Sequence, residues 1–176
     1  MENRIIAAVM GDVFGALRSK ADTIFYLSPS IQNVGEILAA AHGAGKQIYL
    51  HFDLAEGIGK DKAGLLYLKG LGADGIISTR GNLIKAAAEC GLKTVQRFFL
   101  IDSYSVDTTV EAIKACKPDF AELMPGLLPK IIARVKAQTG VSVIAGGLIE
   151  TEEEAAAAIA AGAEAVTTGK PELWGK

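Results

Sequence analysis

The sequence contains few of the residues on which disulfide frameworks and metal centres depend. Its 176 residues include two cysteines and two histidines. Cys90 and Cys116 lie far apart, with no CxxC motif and no histidine nearby, so we expect reduced thiols that pack against helices. The motifs of serine nucleophiles, P-loops and zinc sites are also absent. These absences exclude a disulfide-rich scaffold and give no support to a zinc site.

The sequence also lacks a strong net charge and a long apolar run. Its 18 lysines and arginines nearly balance 20 aspartates and glutamates, which leaves a formal charge of -2. This balance predicts no general attraction to nucleic acids or anionic membranes. The apolar run at residues 5–10 is too short for a signal peptide or a membrane span. We therefore expect a cytoplasmic protein with no membrane partner.

Aromatic residues make up only 6% of the chain, and the residues themselves do not indicate an RNA-binding surface. There is no RNP1-like run, and no aromatic residues are interleaved with basic ones. The nearest feature is the pair Lys130 and Arg134, four residues apart on one face of a predicted helix. A solvated helix face is the simpler interpretation of this pair.

Short β-rich runs alternate with helical segments along the whole chain. Eight strands are predicted at residues 5–9, 23–27, 47–52, 75–78, 94–99, 120–123, 141–145 and 165–168. Helices are predicted at residues 31–41, 62–71, 82–90, 106–116, 128–138 and 152–161. Glycines typical of left-handed helix ends follow four of them, at Gly45, Gly91, Gly140 and Gly162. Thr151 and Glu154 have the spacing of a capping box.

This alternation predicts a parallel sheet with crossover helices, either a closed eightfold barrel or an open doubly wound sheet. Polar residues follow one predicted strand after another, which favours the barrel because barrel enzymes build their sites at that end. We therefore predict an α/β fold, a compact (βα)8 TIM-type barrel with a closed parallel sheet and short peripheral helices. It would form one domain over residues 1–176. Since the chain is short for this fold, the last helix is expected to be truncated, around residues 171–174.

The loops after the seventh and eighth predicted strands have the character of a phosphate cradle. Gly146 and Gly147 lie in the first loop, and Thr168 and Gly169 in the second. Glycines after a strand let backbone N–H groups approach an anion, and a short helix beginning near Gly169 would direct its positive end there. Thr168 could add a hydroxyl donor. The simpler interpretation is that Gly146 and Gly147 only permit a tight turn.

Five further polar residues would face this cradle across the mouth of the barrel. They are His51 and Asp53 after the third strand, Arg80 after the fourth, Arg97 in the fifth and Glu122 in the sixth. A charged residue inside an apolar strand is costly unless it is paired. Arg97 and Glu122 therefore either contact a ligand or pair with each other in the barrel wall.

A metal site at this mouth is a weaker possibility. His51 and Asp53 share a strand face, and with Glu122 they could hold a divalent metal or act as an acid–base pair. A lone histidine at a strand end is more often simply held by a hydrogen bond. We therefore predict no metal and no cofactor.

Six sequence blocks between residues 49 and 174 carry a family resemblance. They are LHFDL at 50–54, GIISTR at 75–80, QRFFLIDS at 96–103, KPDFAELMPG at 117–126, IAGGLI at 144–149 and AVTTG at 165–169. In their order and spacing the chain resembles the glycerol-3-phosphate-responsive antiterminators, which control glycerol-uptake operons in bacteria. The first 45 residues match this pattern more loosely.

The resemblance implies a regulator without catalytic residues. Such a barrel would bind glycerol 3-phosphate as its effector and then act on the leader mRNA of glycerol genes, so that transcription passes a terminator. The implied phosphate contacts are Gly146, Gly147, Thr168 and Gly169. Asp53 and Glu122 would accept hydrogen bonds from the glycerol hydroxyls, while Arg80, Arg97 and His51 complete the polar mouth. A homo-oligomer is a general expectation for a small barrel.

The competing hypothesis is a barrel enzyme that acts on a small glycerol or triose phosphate, as an isomerase, lyase or transferase. Asp53 and Glu122 would then serve as bases. No lysine lies within a predicted strand, which argues against Schiff-base aldolase chemistry. Lys60 and Lys170 nevertheless lie in loops that could reach the mouth. A third option is a degenerate barrel that senses a ligand and contacts another protein.

Overall fold

Eight parallel strands close into a barrel in the computed structural model, which describes residues 4–175. The strands pair in chain order, and the first also pairs with the last. Their bounds are β1 Ile5–Val9, β2 Thr23–Tyr26, β3 Gln47–His51, β4 Gly75–Ser78, β5 Lys93–Phe99, β6 Phe120–Met124, β7 Ser142–Gly146 and β8 Ala165–Thr168. The predicted (βα)8 barrel is confirmed, and each predicted strand end lies within one residue of the observed one.

Helices of five to fourteen residues cover the outside of the barrel. Their bounds are α1 Phe14–Arg18, α2 Val34–Gly43, α3 Lys62–Gly70, α4 Gly81–Glu89, α5 Ser103–Cys116, α6 Pro129–Thr139 and α7 Glu152–Ala160. Two 3₁₀ helices, Phe52–Leu54 and Pro171–Trp174, complete the elements of the described residues. The second takes the place of an eighth helix, as predicted.

Three helices were either not predicted or start more than one residue away from the predicted position. The five-residue helix α1 was not predicted, because its pattern is too short to recognise. Helix α2 begins at Val34 rather than at residue 31, since Ile31 N–H donates to the carbonyl of Glu56. Helix α5 begins three residues earlier than predicted, because Asp102 and Ser105 form a reciprocal capping box.

The predicted helix caps are present. Gly45, Gly91, Gly140 and Gly162 follow helices α2, α4, α6 and α7, and each has a positive φ, from 70° to 106°. Such a conformation is strained for residues with a Cβ atom. Thr151 accepts a hydrogen bond from the backbone of Glu154, whose side chain accepts in return from the backbone of Thr151. Local sequence therefore sets where these helices end and where α7 begins.

The core is divided by the wall of the barrel. Two clusters lie between the strands and the helices, one on each half of the molecule. A third cluster lies inside the barrel and consists of Ile6, Phe25, Tyr49, Ile77, Val95 and Ile144. Side chains on alternate positions of each strand thus supply the inner and the outer core. Within residues 4–175, none of the helices combines the length and the apolar character that a membrane crossing requires.

Candidate functional site

A buried polar network lies above the apolar interior, at the carboxyl ends of the strands. Arg97 and Glu122 are direct neighbours in the register of β5 and β6. Arg97 Nε donates to Glu122 Oε2 at 2.7 Å, and Thr167 Oγ1 donates to Glu122 Oε1 at 2.8 Å. All three residues are buried. The ion pair considered from the sequence is therefore present, and it includes a threonine from β8.

Gly146 provides the space for this network. A Cβ atom at Gly146 would lie 2.4 Å from Thr167 Oγ1 and 2.6 Å from Glu122 Oε1. Real Cβ atoms do not make contacts this short, and neither neighbour can retreat without breaking its hydrogen bond. The glycine is therefore required by the packing of the network, independently of any ligand. Its predicted contact with phosphate stays a prediction.

A cavity of about 310 Å³ lies against this network, and we call it the carboxyl-end cavity. Five of the predicted site residues line it, namely Arg97, Glu122, Gly147, Thr168 and Gly169. Ala8, Met10, Leu27 and Met124 add apolar wall. Its volume is at the lower end of the roughly 300–1,000 Å³ typical of ligand sites, which suits a small metabolite.

Several hydrogen-bond donors at this cavity have no acceptor in the described part of the chain. Arg97 uses only its Nε on Glu122, so its two terminal nitrogens are free to contact a ligand. The backbone N–H groups of Leu148 and Gly169 also lack an acceptor among residues 4–175. Gly147 and Leu148 have φ values of 74° and 62°, which turn the chain sharply beside the cavity. Charged and backbone donors of this kind favour an anion.

Thr168 connects the two loops that were predicted to hold phosphate. Its Oγ1 donates to the carbonyl of Ile149 at 2.7 Å and accepts from Lys170 N–H at 3.1 Å. Its own carbonyl accepts from Trp174 Nε1 at 2.8 Å. The hydroxyl proton of Thr168 is thus already used within the chain. The sequence analysis did not single out Thr167. Because side chains alternate along β8, Thr167 faces the same side as the cavity residue Gly169, and this alternation is the signal that could have identified it.

His51 is 5% exposed and lies within electrostatic range of Arg97. Its Nδ1 atom is buried and has no hydrogen-bond partner among the described residues. Burial, and then the charge of Arg97, lower the pKa of His51 from 6.5 to about 4. The imidazole is therefore neutral near pH 7 and offers one donor and one acceptor nitrogen.

Asp53 and Arg80 form a separate group that does not line the carboxyl-end cavity. Asp53 accepts from Ser78 Oγ at 2.6 Å, from Thr79 N–H at 2.8 Å, from Thr79 Oγ1 at 2.9 Å and from Arg80 Nε at 3.3 Å. Burial alone would raise the pKa of Asp53, but these hydrogen bonds lower it below 3.8. A carboxylate has about four acceptor positions, so all of them are used. Through these hydrogen bonds, Asp53 connects the loop after β4 to the turn after β3.

The two acidic residues of the predicted mouth therefore belong to different networks. Glu122 is bonded to Arg97 and Thr167, whereas Asp53 is bonded to the loop after β4. Among residues 4–175 there is no group of three His, Cys, Asp or Glu side chains arranged to hold a metal ion. The arrangement instead offers cationic and backbone donors beside a buried carboxylate, which suits a small polar anion that carries hydroxyl groups.

Comparison with known proteins identifies relatives that match nearly the whole chain. A solved structure of the glycerol uptake operon antiterminator regulatory protein from Listeria monocytogenes is 34% identical, covers 99% of this chain and 96% of that chain, and superposes with a TM-score of 0.91. An antiterminator-related protein from Thermotoga maritima is 32% identical, covers 99% of each chain, and gives a TM-score of 0.89. The protein YgcP of Escherichia coli (strain K12) is 34% identical over 98% of this chain and 92% of its own length.

Aldolases also match, at 10–14% identity with TM-scores of 0.61–0.76, and this likeness shows the fold alone. The family described as "Glycerol-3-phosphate responsive antiterminator" matches residues 5–174. Because this match covers nearly the whole chain, the chain belongs to the glycerol-3-phosphate responsive antiterminator family, as its sequence resemblance predicted.

Proposed function

We propose that this protein binds glycerol 3-phosphate in the carboxyl-end cavity and uses that binding to control transcription antitermination. The observation that carries the proposal is the position of Arg97. Its Nε is fixed by Glu122, while its terminal nitrogens lie free at a cavity of about 310 Å³. An arginine held in this way is preorganised for a phosphate, because little side-chain entropy is lost when the ligand binds.

The phosphate group is assigned to the donors on one side of the cavity. Arg97 supplies the charge, and the free N–H groups of Leu148 and Gly169 supply backbone donors. Gly147 lets the chain pass close to the anion, while Gly146 and Thr168 hold the two loops in place. The loops after β7 and β8 are also where TIM barrels commonly bind phosphate.

The glycerol hydroxyls are assigned to the acceptors nearby. Each oxygen of Glu122 accepts one hydrogen bond within the chain and has capacity for another. Neutral His51 does not line the cavity, so we assign it to the surroundings of Arg97 rather than to a contact with a hydroxyl. Asp53 and Arg80 form the outer part of the predicted mouth, where contact of Asp53 with a ligand would replace one of its four present bonds.

When glycerol 3-phosphate is bound, the protein acts on the leader mRNA of glycerol-utilisation genes in the cytoplasm. The antiterminator family and the names of the Listeria and Thermotoga proteins support this assignment. The formal charge of -2 means that affinity for RNA must come from a local surface rather than from the whole molecule. We also propose that RNA binding depends on glycerol 3-phosphate and that the protein does not convert this ligand to a product.

Calorimetric titration with glycerol 3-phosphate tests the ligand directly, with glycerol and inorganic phosphate as controls. We expect saturable binding of glycerol 3-phosphate and much weaker binding of either fragment. Arg97→Lys keeps the charge beside Glu122 but loses the planar fork, so affinity should fall about ten-fold or more. Arg134→Lys, at an arginine paired with Asp107 on the surface, is the matched control. Equal affinity in both variants would place the ligand elsewhere.

RNA binding is tested separately, by titrating leader RNA with and without glycerol 3-phosphate at several salt concentrations. The proposal predicts an affinity that rises with the ligand and falls steeply with salt. Affinity that is indifferent to both would contradict it. The enzyme alternative is checked in the same samples by phosphorus NMR, which detects conversion of a glycerol or triose phosphate. Among the described residues that line the cavity there is no lysine for Schiff-base chemistry.

A further inference from the structure

A second cavity, of about 180 Å³, opens at the opposite end of the barrel, where the strands begin. We call it the amino-end cavity. Its apolar walls include Phe25, Tyr49, Val95 and Ile144 from the inner cluster. It shares no lining residue with the carboxyl-end cavity. TIM-barrel interiors are usually filled by layers of side chains, so an open volume at this level is a distinct feature of the chain.

The wall of this cavity is held in place by close packing of Tyr49. A Cβ atom at Gly75 would lie 2.6 Å from Cδ1 and Cε1 of the Tyr49 ring, so only glycine allows the ring to lie there. On its other side the ring packs against Phe25, with centroids 5.5 Å apart and planes inclined by 48°. The ring is therefore fixed between two strands, and the cavity beside it is part of the packed structure.

Tyr49 also brings an unused polar group to the cavity. The residue is 6% exposed, and its hydroxyl has no hydrogen-bond partner among residues 4–175. The carboxylates of nearby Asp74 and Asp119 accept hydrogen bonds from other donors, including Ile48 N–H and Thr94 N–H. Burial, with smaller effects of those two carboxylates, raises the pKa of Tyr49 to about 12. The phenol therefore stays protonated and has a hydrogen to donate.

The size and charge of the cavity limit what it can hold. An engineered cavity of about 150 Å³ in another protein holds benzene, so about 180 Å³ is enough for a single ring. The rim carries one basic and one acidic residue, Arg4 and Glu164, together with the polar Gln47. Opposite charges at the rim give no net attraction for an ion. Apolar walls with one phenol donor favour a neutral ring that carries an acceptor.

We propose that the amino-end cavity is a second binding site, for a neutral single-ring molecule whose acceptor atom takes the hydrogen bond of the Tyr49 hydroxyl. This site is independent of the glycerol 3-phosphate proposal, because it lies in a separate cavity at the other end of the barrel. A molecule bound there would stabilise the folded barrel without competing for the carboxyl-end cavity.

The test uses pyridine as the probe with an acceptor and benzene as the probe without one, at about pH 8, followed by NMR of methyl groups. We expect saturable shifts at Val95 and Ile144, with pyridine bound more tightly than benzene. Tyr49→Phe keeps the ring and removes the donor, so the preference for pyridine should fall about five-fold, the equivalent of one neutral hydrogen bond. Tyr104→Phe, at a tyrosine that is 75% exposed, is the matched control.

A filled cavity gives an independent check. Ala165 lines the cavity, so Ala165→Leu should abolish saturable binding of both probes while the protein remains folded by circular dichroism. Should Ala165→Leu not fold, Tyr49→Phe still decides the question. Absence of saturable binding, an unchanged preference in Tyr49→Phe, or shifts confined to the carboxyl end would each overturn the proposal.

Discussion

Arg97 and Glu122 lie opposite each other on neighbouring strands and form a buried ion pair, with side chains that are 9% and 1% exposed. The second oxygen of Glu122 is taken by Thr167. Three strands, β5, β6 and β8, thus meet at one carboxylate. The pair neutralises a charge inside the barrel, and it leaves the two terminal nitrogens of Arg97 without a partner among residues 4–175.

Removing one member of this pair should be far more costly than removing both. Glu122→Leu leaves the Arg97 cation buried without its partner, and the free energy of unfolding should fall by about 3–5 kcal/mol. The double variant Arg97→Met with Glu122→Leu should lose less than Glu122→Leu alone, because no uncompensated charge remains. Urea denaturation of the single and double variants measures both quantities.

A surface pair provides the comparison. Arg134 and Asp107 are 39% and 59% exposed at their side chains, so Arg134→Met should change stability by about 1 kcal/mol or less. A Glu122→Leu variant no less stable than Arg134→Met would show that the buried pair is not a structural requirement.

From the lowered pKa of His51 we expect the protein to lose stability in mildly acidic solution. Its pKa is about 4 in the folded chain and 6.5 ordinarily, so the unfolded chain binds a proton more readily. The stabilising contribution is complete above about pH 6.5 and is lost as the pH falls toward 4. Linkage gives a loss of about 3 kcal/mol over this interval. Unfolding by urea at a series of pH values should reveal the slope.

One variant assigns this slope to its residue. His51→Gln removes the titrating imidazole, so the stability of this variant should depend less on pH between about pH 7 and pH 5 than that of the wild type. If His51→Gln retains the full slope, another group is responsible.

Asp53 predicts a second loss at lower pH. Its pKa is lowered below 3.8 in the folded chain, chiefly by hydrogen bonds that offset the effect of burial. Its contribution is therefore present above the ordinary value and is lost as the pH falls below it. Asp53→Asn should be less sensitive to pH below about 4 than the wild type. Unfolding by urea at a series of pH values between about 2 and 5 measures the difference between Asp53→Asn and the wild type.

Much of the barrel could be predicted from the sequence because its signals are local. Strands with buried positions on both faces appear as short apolar runs, and glycines mark the helix ends. The start of α5 lies three residues before the predicted one, since its capping box uses Ser105 where glutamate or glutamine is usual. A capping signal of this kind is easily missed in a polar loop.

The candidate site was harder to predict, because partners from distant strands decide what each polar residue does. Asp53 follows β3 in the manner of a ligand contact, yet Ser78, Thr79 and Arg80 occupy its carboxylate. Thr167 and Thr168 are adjacent and chemically alike, but the pleat of β8 directs the first to Glu122 and the second to Ile149. Sequence places such residues at the right end of the barrel without giving their partners.

Substitutions of Gly146 and Gly169 can distinguish an effect on the packing of the site from an effect on ligand binding. A methyl group at Gly146 would overlap Thr167 and Glu122, so Gly146→Ala should destabilise the fold. A methyl group at Gly169 would meet only the carbonyl oxygen of Ala8, at 3.7 Å, so Gly169→Ala should leave the melting temperature unchanged. Because Gly169 lines the carboxyl-end cavity, the same methyl group would block the approach of an anion to its backbone.

Gly169→Ala should therefore bind glycerol 3-phosphate about ten-fold or more weakly, as measured by calorimetry. Gly43→Ala, at the end of α2 where a Cβ atom meets nothing within 4 Å, should bind as the wild type does. Wild-type affinity in Gly169→Ala would remove the phosphate from the loop after β8. The anion would then have to be held by other donors at the cavity, such as Arg97 and the Leu148 N–H, which has no acceptor among residues 4–175.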